Sequence, residues 1–144
     1  MLLPYKQYPV SAPVISLNGR ANRPKPVVMV TVIGPGGSAV QEALLDTGAD
    51  DTVFPDDVAA KIGLDLSAAP TRSAAGVGMT PYPLRYAQVT LRLTDGIEYR
   101  EWPAWVAFTP ARLRFAGCLQ FFTAAFDGER EQVTLAVTAR YPGG

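Results

Sequence analysis

The sequence contains no histidine and only one cysteine among its 144 residues. The absence of an imidazole excludes Ser-His-Asp and Cys-His nucleophile pairs, because both use histidine as the general base. Cys118 alone makes neither a zinc ligand set nor an internal disulfide, which is typical of a reducing compartment. Hydrolytic chemistry in this chain would therefore depend on carboxylates, lysine or a hard metal ion.

Excess charge and long apolar runs are also missing. The 13 basic and 13 acidic residues cancel, so the chain has no electrostatic footprint for nucleic acid or an anionic membrane. No apolar run approaches the length of a membrane span, and the N-terminus lacks the pattern of a secretory signal. We expect a cytoplasmic protein with neither a nucleic-acid nor a membrane partner.

Length and proline content predict how the chain is divided. Residues 1–26 contain five prolines, which favour extended backbone and exclude a helix. We expect an N-terminal arm over 1–26, one mostly β domain over 27–139, and a frayed C-terminal tail over 140–144.

Apolar and β-branched segments separated by turns predict the strands of the central part. Residues 27–33 are typical of a strand, residues 34–38 of a turn, and residues 39–45 of a returning strand. The turn is rich in glycine but lacks the Lys-Ser/Thr pair of a phosphate-binding loop, so a hairpin is favoured. A later strand carries Trp102 and Trp105, whose rings we expect to pack in the core or on a sheet face.

Two short helices are predicted. Residues 55–63 begin with proline and two acids and end with lysine and glycine, which suits the two ends of a helix. Leu119, Phe122 and Phe126 recur at i, i+3 and i+7, a spacing that places them on one face of a second helix.

The most informative residue is Asp46, which follows three apolar residues and precedes Thr47-Gly48. A carboxylate at the end of a buried strand is costly unless it is paired or functional. One interpretation is a strand-ending turn in which Asp46 hydrogen-bonds its own backbone two residues on. A calcium loop is disfavoured, because an EF-hand starting at Asp46 would place Asp51 where glycine is required.

A pair of carboxylates that shares one proton is the remaining interpretation. Such a pair activates a water molecule without histidine or metal. Asp46 is the only aspartate in an apolar-Asp-Thr-Gly pattern, so its partner would be Asp46 of a second copy across a two-fold axis.

Residues 44–53 closely resemble the active-site segment of retroviral-type aspartic proteases, the retropepsins. The glycine-bearing hairpin at 76–78 lies where that family has its flap, and Phe115-Ala116-Gly117 resembles a late apolar-apolar-Gly segment of the family. Together these segments span about 27–135 in the family's order. The resemblance implies a mostly β retropepsin-like fold: half of a closed barrel or sandwich, with a flap hairpin and two short helices, in an obligate homodimer.

The resemblance also implies an aspartic endopeptidase that needs no metal and no cofactor. Asp46 of each subunit would activate the attacking water, and Thr47 would hydrogen-bond across the dimer axis to hold the two loops together. Gly48 would offer its carbonyl to a polypeptide bound in an extended conformation. The residues expected to bind this substrate are Gly48, Asp50, Asp51, Gly76, Val77, Gly78 and Met79.

The sequence departs from the family at Cys118. Many retroviral members have an arginine there, which pairs with an acid like Asp50; in this chain that pair is missing or is made by Arg112 or Arg114. The alternative to a protease is a dimeric module of the same fold that binds peptides or partners without cleaving them.

Overall fold

The computed structural model describes residues 1–75 and 80–143, apart from the side chains of Cys118 and Leu119. The described chain is mostly β, as predicted, with one α-helix, α1 (Asp56–Lys61), and two 3-10 turns, Ile15–Leu17 and Cys118–Phe121. None of the helices in these ranges has the length and apolar character needed to cross a membrane. The strands are β1 (Leu2–Pro4), β2 (Lys6–Val14), β3 (Arg20–Lys25), β4 (Val27–Gly34), β5 (Gly37–Leu45), β6 (Val53–Pro55), β7 (Thr71–Ala74), β8 (Tyr82–Thr94), β9 (Tyr99–Thr109), β10 (Phe115–Ala116), β11 (Phe122–Asp127) and β12 (Gln132–Val137).

The largest sheet has the strand order β4-β5-β10-β6-β9-β8-β7. β4 pairs with β5 at one end of this order and also with β8 near the other, so the sheet folds back on itself. Alternate side chains of β4, at Val28, Val30 and Val32, are buried and join Leu91 and Phe108 in the main core. Closure of the barrel, which the resemblance implies, stays a prediction.

The glycine-rich turn is a hairpin between β4 and β5, with Gly34 opposite Gly37. The turn packs against the end of α1, where the Gly36 N–H donates to the Ile62 carbonyl oxygen at 2.9 Å. A Cβ on Gly34 would lie 2.6 Å from that same oxygen. The glycines are therefore required by close packing, and the predicted hairpin connection is confirmed.

The helix predicted at 55–63 is present as α1. Asp56 and Asp57 occupy its first turn, and Lys61 in its last turn lies 2.9 Å from the Asp57 carboxylate. Val58 and Ile62 are fully buried, so this helix is fixed on the core by one apolar face.

The prediction of a second helix, through Leu119, Phe122 and Phe126, is wrong. The chain makes only the short 3-10 turn Cys118–Phe121 and then enters β11, which pairs antiparallel with β12. Phe122, Ala124 and Phe126 also alternate at a period of two, which is the strand spacing. Pairing with β12 across the turn that follows Asp127 decides between the two periods.

The N-terminal arm is joined to the rest of the chain by strand pairing and by charge. β1 pairs with β12, and the amino group of Met1 donates to the Leu135 carbonyl oxygen at 2.9 Å. β2 and β3 form a two-stranded ribbon, which turns at Asn18 and Gly19 in left-handed conformations. Ion pairs join this ribbon to the neighbouring sheets: Lys6 with Glu42, and Arg20 with Glu131.

The C-terminal residues, expected to fray, are held by Tyr141. Its ring centroid lies 5.9 Å from that of Trp102 and 5.7 Å from that of Phe122. Its hydroxyl donates to the Glu101 carbonyl oxygen at 2.8 Å. The expectation of a frayed tail is therefore wrong at this residue, because an aromatic side chain there covers the buried face of β9.

Candidate active site

The acidic loop, residues 46–52, joins two strands that are separated by a third. Asp46 follows the last residue of β5, and β6 begins at Val53. β10 lies between these strands, with Phe115 opposite Leu44 on one side and opposite Val53 on the other. The loop therefore crosses over β10, and its polar side chains lie where the apolar strands β5 and β6 meet the loop.

Asp46 is half-buried and held by its own loop. The Gly48 N–H donates to Asp46 Oδ1 at 2.9 Å, and the Ala49 N–H donates to the Asp46 carbonyl oxygen at 3.2 Å. This is the hydrogen bond of the strand-ending turn considered above. Among the described residues no donor contacts Oδ2, so the turn orients the carboxylate and leaves one oxygen for another molecule.

The residues after Asp46 differ in exposure. Thr47, Gly48 and Asp50 are exposed, whereas Ala49 is half-buried. Their exposure leaves this part of the loop open to contact with a second molecule.

Asp51 fixes the far end of the loop to β8. The Tyr86 hydroxyl donates to Asp51 Oδ2 at 2.7 Å. Burial of the phenol, together with its hydrogen bond to the Asp51 carboxylate, raises the pKa of Tyr86 to about 12. Sequence reasoning missed this contact, because the two residues are 35 positions apart and neither one suggests the other.

Gly117 explains the late glycine of the sequence. A Cβ at this position would lie 2.6 Å from the Asp51 carbonyl carbon and oxygen, and 3.0 Å from the Ala49 carbonyl oxygen. β10 therefore ends in direct backbone contact with the acidic loop, and only glycine allows this approach.

A cavity of about 270 Å³ lies beside Asp46. Of the residues predicted to bind substrate, Gly48, Asp50 and Asp51 line it together with Asp46, whereas Gly76 to Met79 lie outside the described residues. Thr47 is exposed on the loop and does not line this cavity. Sequence reasoning did not identify two other walls of this cavity. One is apolar and consists of Val53, Leu84, Leu113 and Phe115. The other lies at the base of the predicted flap and consists of Ala74, Ala75 and Tyr82.

Neither Arg112 nor Arg114 makes the ion pair considered for Asp50. In the described ranges no arginine or lysine lies within ion-pair distance of Asp50, and both arginines line a separate cavity with Asp56 and Asp57. Arg85 pairs with Asp56 at 2.5 Å, so that basic side chain is also used elsewhere. The same ranges contain no group of three histidine, cysteine, aspartate or glutamate residues arranged to hold a metal ion.

The family of the chain is identified by comparison with protein-family models. Residues 27–135 match a family model described as aspartyl protease, whereas no curated protein matches the chain. The match covers more than half of the chain and includes the acidic loop, β10 and Gly117. The chain therefore belongs to the aspartyl protease family of retropepsin-like type.

Proposed function

We propose that this chain is a homodimeric aspartic endopeptidase, in which Asp46 of each of two copies contributes one carboxylate to a shared site. The observation that carries the proposal is the geometry of Asp46. One of its oxygens accepts from the Gly48 N–H, and the side chain lines a cavity with an apolar wall. Membership of the aspartyl protease family supports this chemistry.

Two carboxylates are needed, because one must accept a proton from water while the other donates a proton to the substrate. The ionised Asp46 removes a proton from the water molecule, and the water oxygen bonds to the peptide carbonyl carbon. The other Asp46 gives its proton to the carbonyl oxygen. When the tetrahedral intermediate collapses, the C–N bond breaks and the amine leaves with the proton held by the first Asp46. A hydroxyl of the intermediate returns its proton to the second Asp46, so the pair again holds one proton.

The exposed part of the loop fits the proposed partner and substrate. Thr47 would contact the second copy near the two-fold axis. An extended polypeptide would pass Gly48 and Asp50, with one apolar side chain against Leu84 and Phe115. The flap tip, Gly76 to Met79, would close over it and exclude water.

Replacement of Asp46 tests this function directly. Asp46→Asn keeps the size of the side chain but cannot act as a base, so kcat/KM for peptide hydrolysis should fall about a thousandfold. Asp65→Asn is the matched control, because Asp65 makes the same type of turn: its Oδ1 accepts from the Ser67 N–H at 2.9 Å. The control should cleave like wild type, and unchanged cleavage by Asp46→Asn would contradict the proposal.

A non-catalytic peptide-binding dimer is the second candidate. It is favoured by one observation: the Asp46 turn has the same hydrogen bond as the ordinary surface turn at Asp65. Binding of peptides without any cleavage, equally by wild type and by Asp46→Asn, would support this function over the protease.

A further inference from the structure

A second cavity, of about 360 Å³, lies along the acidic loop. It shares Asp50 and Asp51 with the cavity beside Asp46, so the two cavities are neighbours at this end of the loop. Its volume is at the lower end of the range for ligand pockets, about 300 to 1,000 Å³. It is therefore large enough for one long side chain of a bound polypeptide.

The wall of this cavity presents an exposed tryptophan. Trp105 on β9 is 62% exposed and lies directly opposite the exposed Gln88 on β8. Trp102 on the same strand is only 1% exposed and packs in the core. Of the two places expected for Trp105, the core or a sheet face, its strand position gives the second: it lies on the face of the sheet away from the core, where its ring is open to a ligand.

The charged residues that line this cavity are all acidic in the described part of the chain. Asp50 and Asp51 line it, and no lysine or arginine does so in the described part of the chain. Arg92, on the same sheet face, is held by Glu101 at 2.7 Å. A cation that neutralises Asp50 would therefore come from outside the described part of this copy, and a bound molecule is one source.

We propose that the substrate groove continues along the loop into this second cavity, which accepts an arginine side chain of the polypeptide. This inference rests on the proposed protease function. The guanidinium group stacks on the face of Trp105 and donates hydrogen bonds to the Asp50 carboxylate. Arginine fits better than lysine, because its planar group stacks on aromatic rings and binds carboxylates through two donors.

Paired peptides test the subsite. In a set of quenched fluorescent octapeptides, arginine is moved one position at a time, and each peptide has a partner with neutral citrulline at the same position. At one position kcat/KM should be about tenfold higher for arginine, the effect expected of one cation over an aromatic ring beside a carboxylate. Equal values at every position, with peptides still cleaved, would overturn the subsite and leave the protease function intact.

Two variants locate the effect. Trp105→Ala and Asp50→Asn should each reduce the ratio of arginine to citrulline cleavage toward one, mainly through kcat/KM for the arginine peptide. Tyr99→Ala is the control, because Tyr99 is also 62% exposed on β9 but does not line the cavity. Tyr99→Ala should keep the tenfold ratio, and an equal loss in this control would contradict the assignment to Trp105.

Calorimetric binding of the same peptides to Asp46→Asn separates the two proposals. If no peptide is cleaved by wild type but arginine peptides bind more tightly in a Trp105-dependent manner, the subsite stands and the protease function fails. If arginine and citrulline peptides bind alike, or if none binds, the subsite is overturned whatever the cleavage assay shows.

Discussion

Asp46 and Asp51 lie five positions apart on one loop, yet their surroundings differ. Among the described residues, the Asp46 side chain accepts a hydrogen bond only from its own loop, at Gly48, and it borders a cavity. Asp51 accepts a hydrogen bond from Tyr86 on β8, and its backbone contacts Gly117 at the end of β10. The comparison indicates that one carboxylate is kept available while the other fixes the loop to the sheet.

This difference shows how one short loop can both position a reacting carboxylate and keep it accessible. A reacting carboxylate must be held within a narrow range of positions but must also remain accessible. Here the orientation of Asp46 comes from a local turn, and the position of the loop comes from the contacts at Asp51. A substitution that disrupts the contacts of Asp51 should therefore displace Asp46 and reduce cleavage, even though the substituted residue does not contact Asp46.

The largest effect should come from Gly117→Ala. The added Cβ would meet the Asp51 backbone at 2.6 Å, so the loop or β10 must move. We expect a loss of about 3 kcal/mol in the free energy of unfolding, at the upper end for overpacking, and reduced peptide cleavage. Thermal unfolding and kcat/KM, measured on the same samples, check both effects.

Gly128→Ala is the matched control for this change. A Cβ on Gly128 has no atom within 4 Å, and Gly128 has no left-handed backbone conformation. This variant should unfold and cleave like wild type. Equal stability of the two variants would show that the contact between Gly117 and the loop is not needed.

A smaller effect should come from Tyr86→Phe, which removes the hydroxyl bound to Asp51. Loss of a hydrogen bond to a carboxylate should lower the free energy of unfolding by about 1.5 kcal/mol. Tyr99→Phe, an exposed tyrosine on β9, is the control and should leave stability unchanged. Denaturant unfolding at neutral pH measures both.

The advantage of wild type over Tyr86→Phe should also depend on pH. The folded-state pKa of Tyr86, about 12, is raised above its ordinary value of 10.0, so the folded state retains this proton over a range in which the unfolded state loses it. The contribution of Tyr86 is therefore complete below pH 10 and is lost as pH rises toward 12. An advantage that grows over this range would contradict the assigned contact.

Local patterns in the sequence were enough for much of the fold. The β-branched run of β4, the glycine turn and the ends of α1 each depend on neighbouring residues, and all three are confirmed. The prediction of a helix around Phe122 is wrong, because the apolar residues of this segment fit both a helix and a strand, and pairing with the next strand, β12, decides between them.

The candidate site shows the same division. Asp46 stands out in the sequence because a carboxylate after an apolar run is costly unless it is paired or functional, whereas Gly117 is singled out by the resemblance to the retropepsins. The contact of Tyr86 with Asp51 and the exposure of Trp105 arise from sheet register, which no local pattern specifies. Barrel closure, the dimer and the contacts of the flap tip stay predictions.

The most direct test of the central claim uses mixed copies. Wild type and Asp46→Asn are unfolded together in equal amounts, refolded, and assayed at fixed total concentration. If each site needs Asp46 from two copies, random pairing leaves about one quarter of the wild-type activity. Retention of about one half would mean that each copy works alone, and it would contradict a shared site.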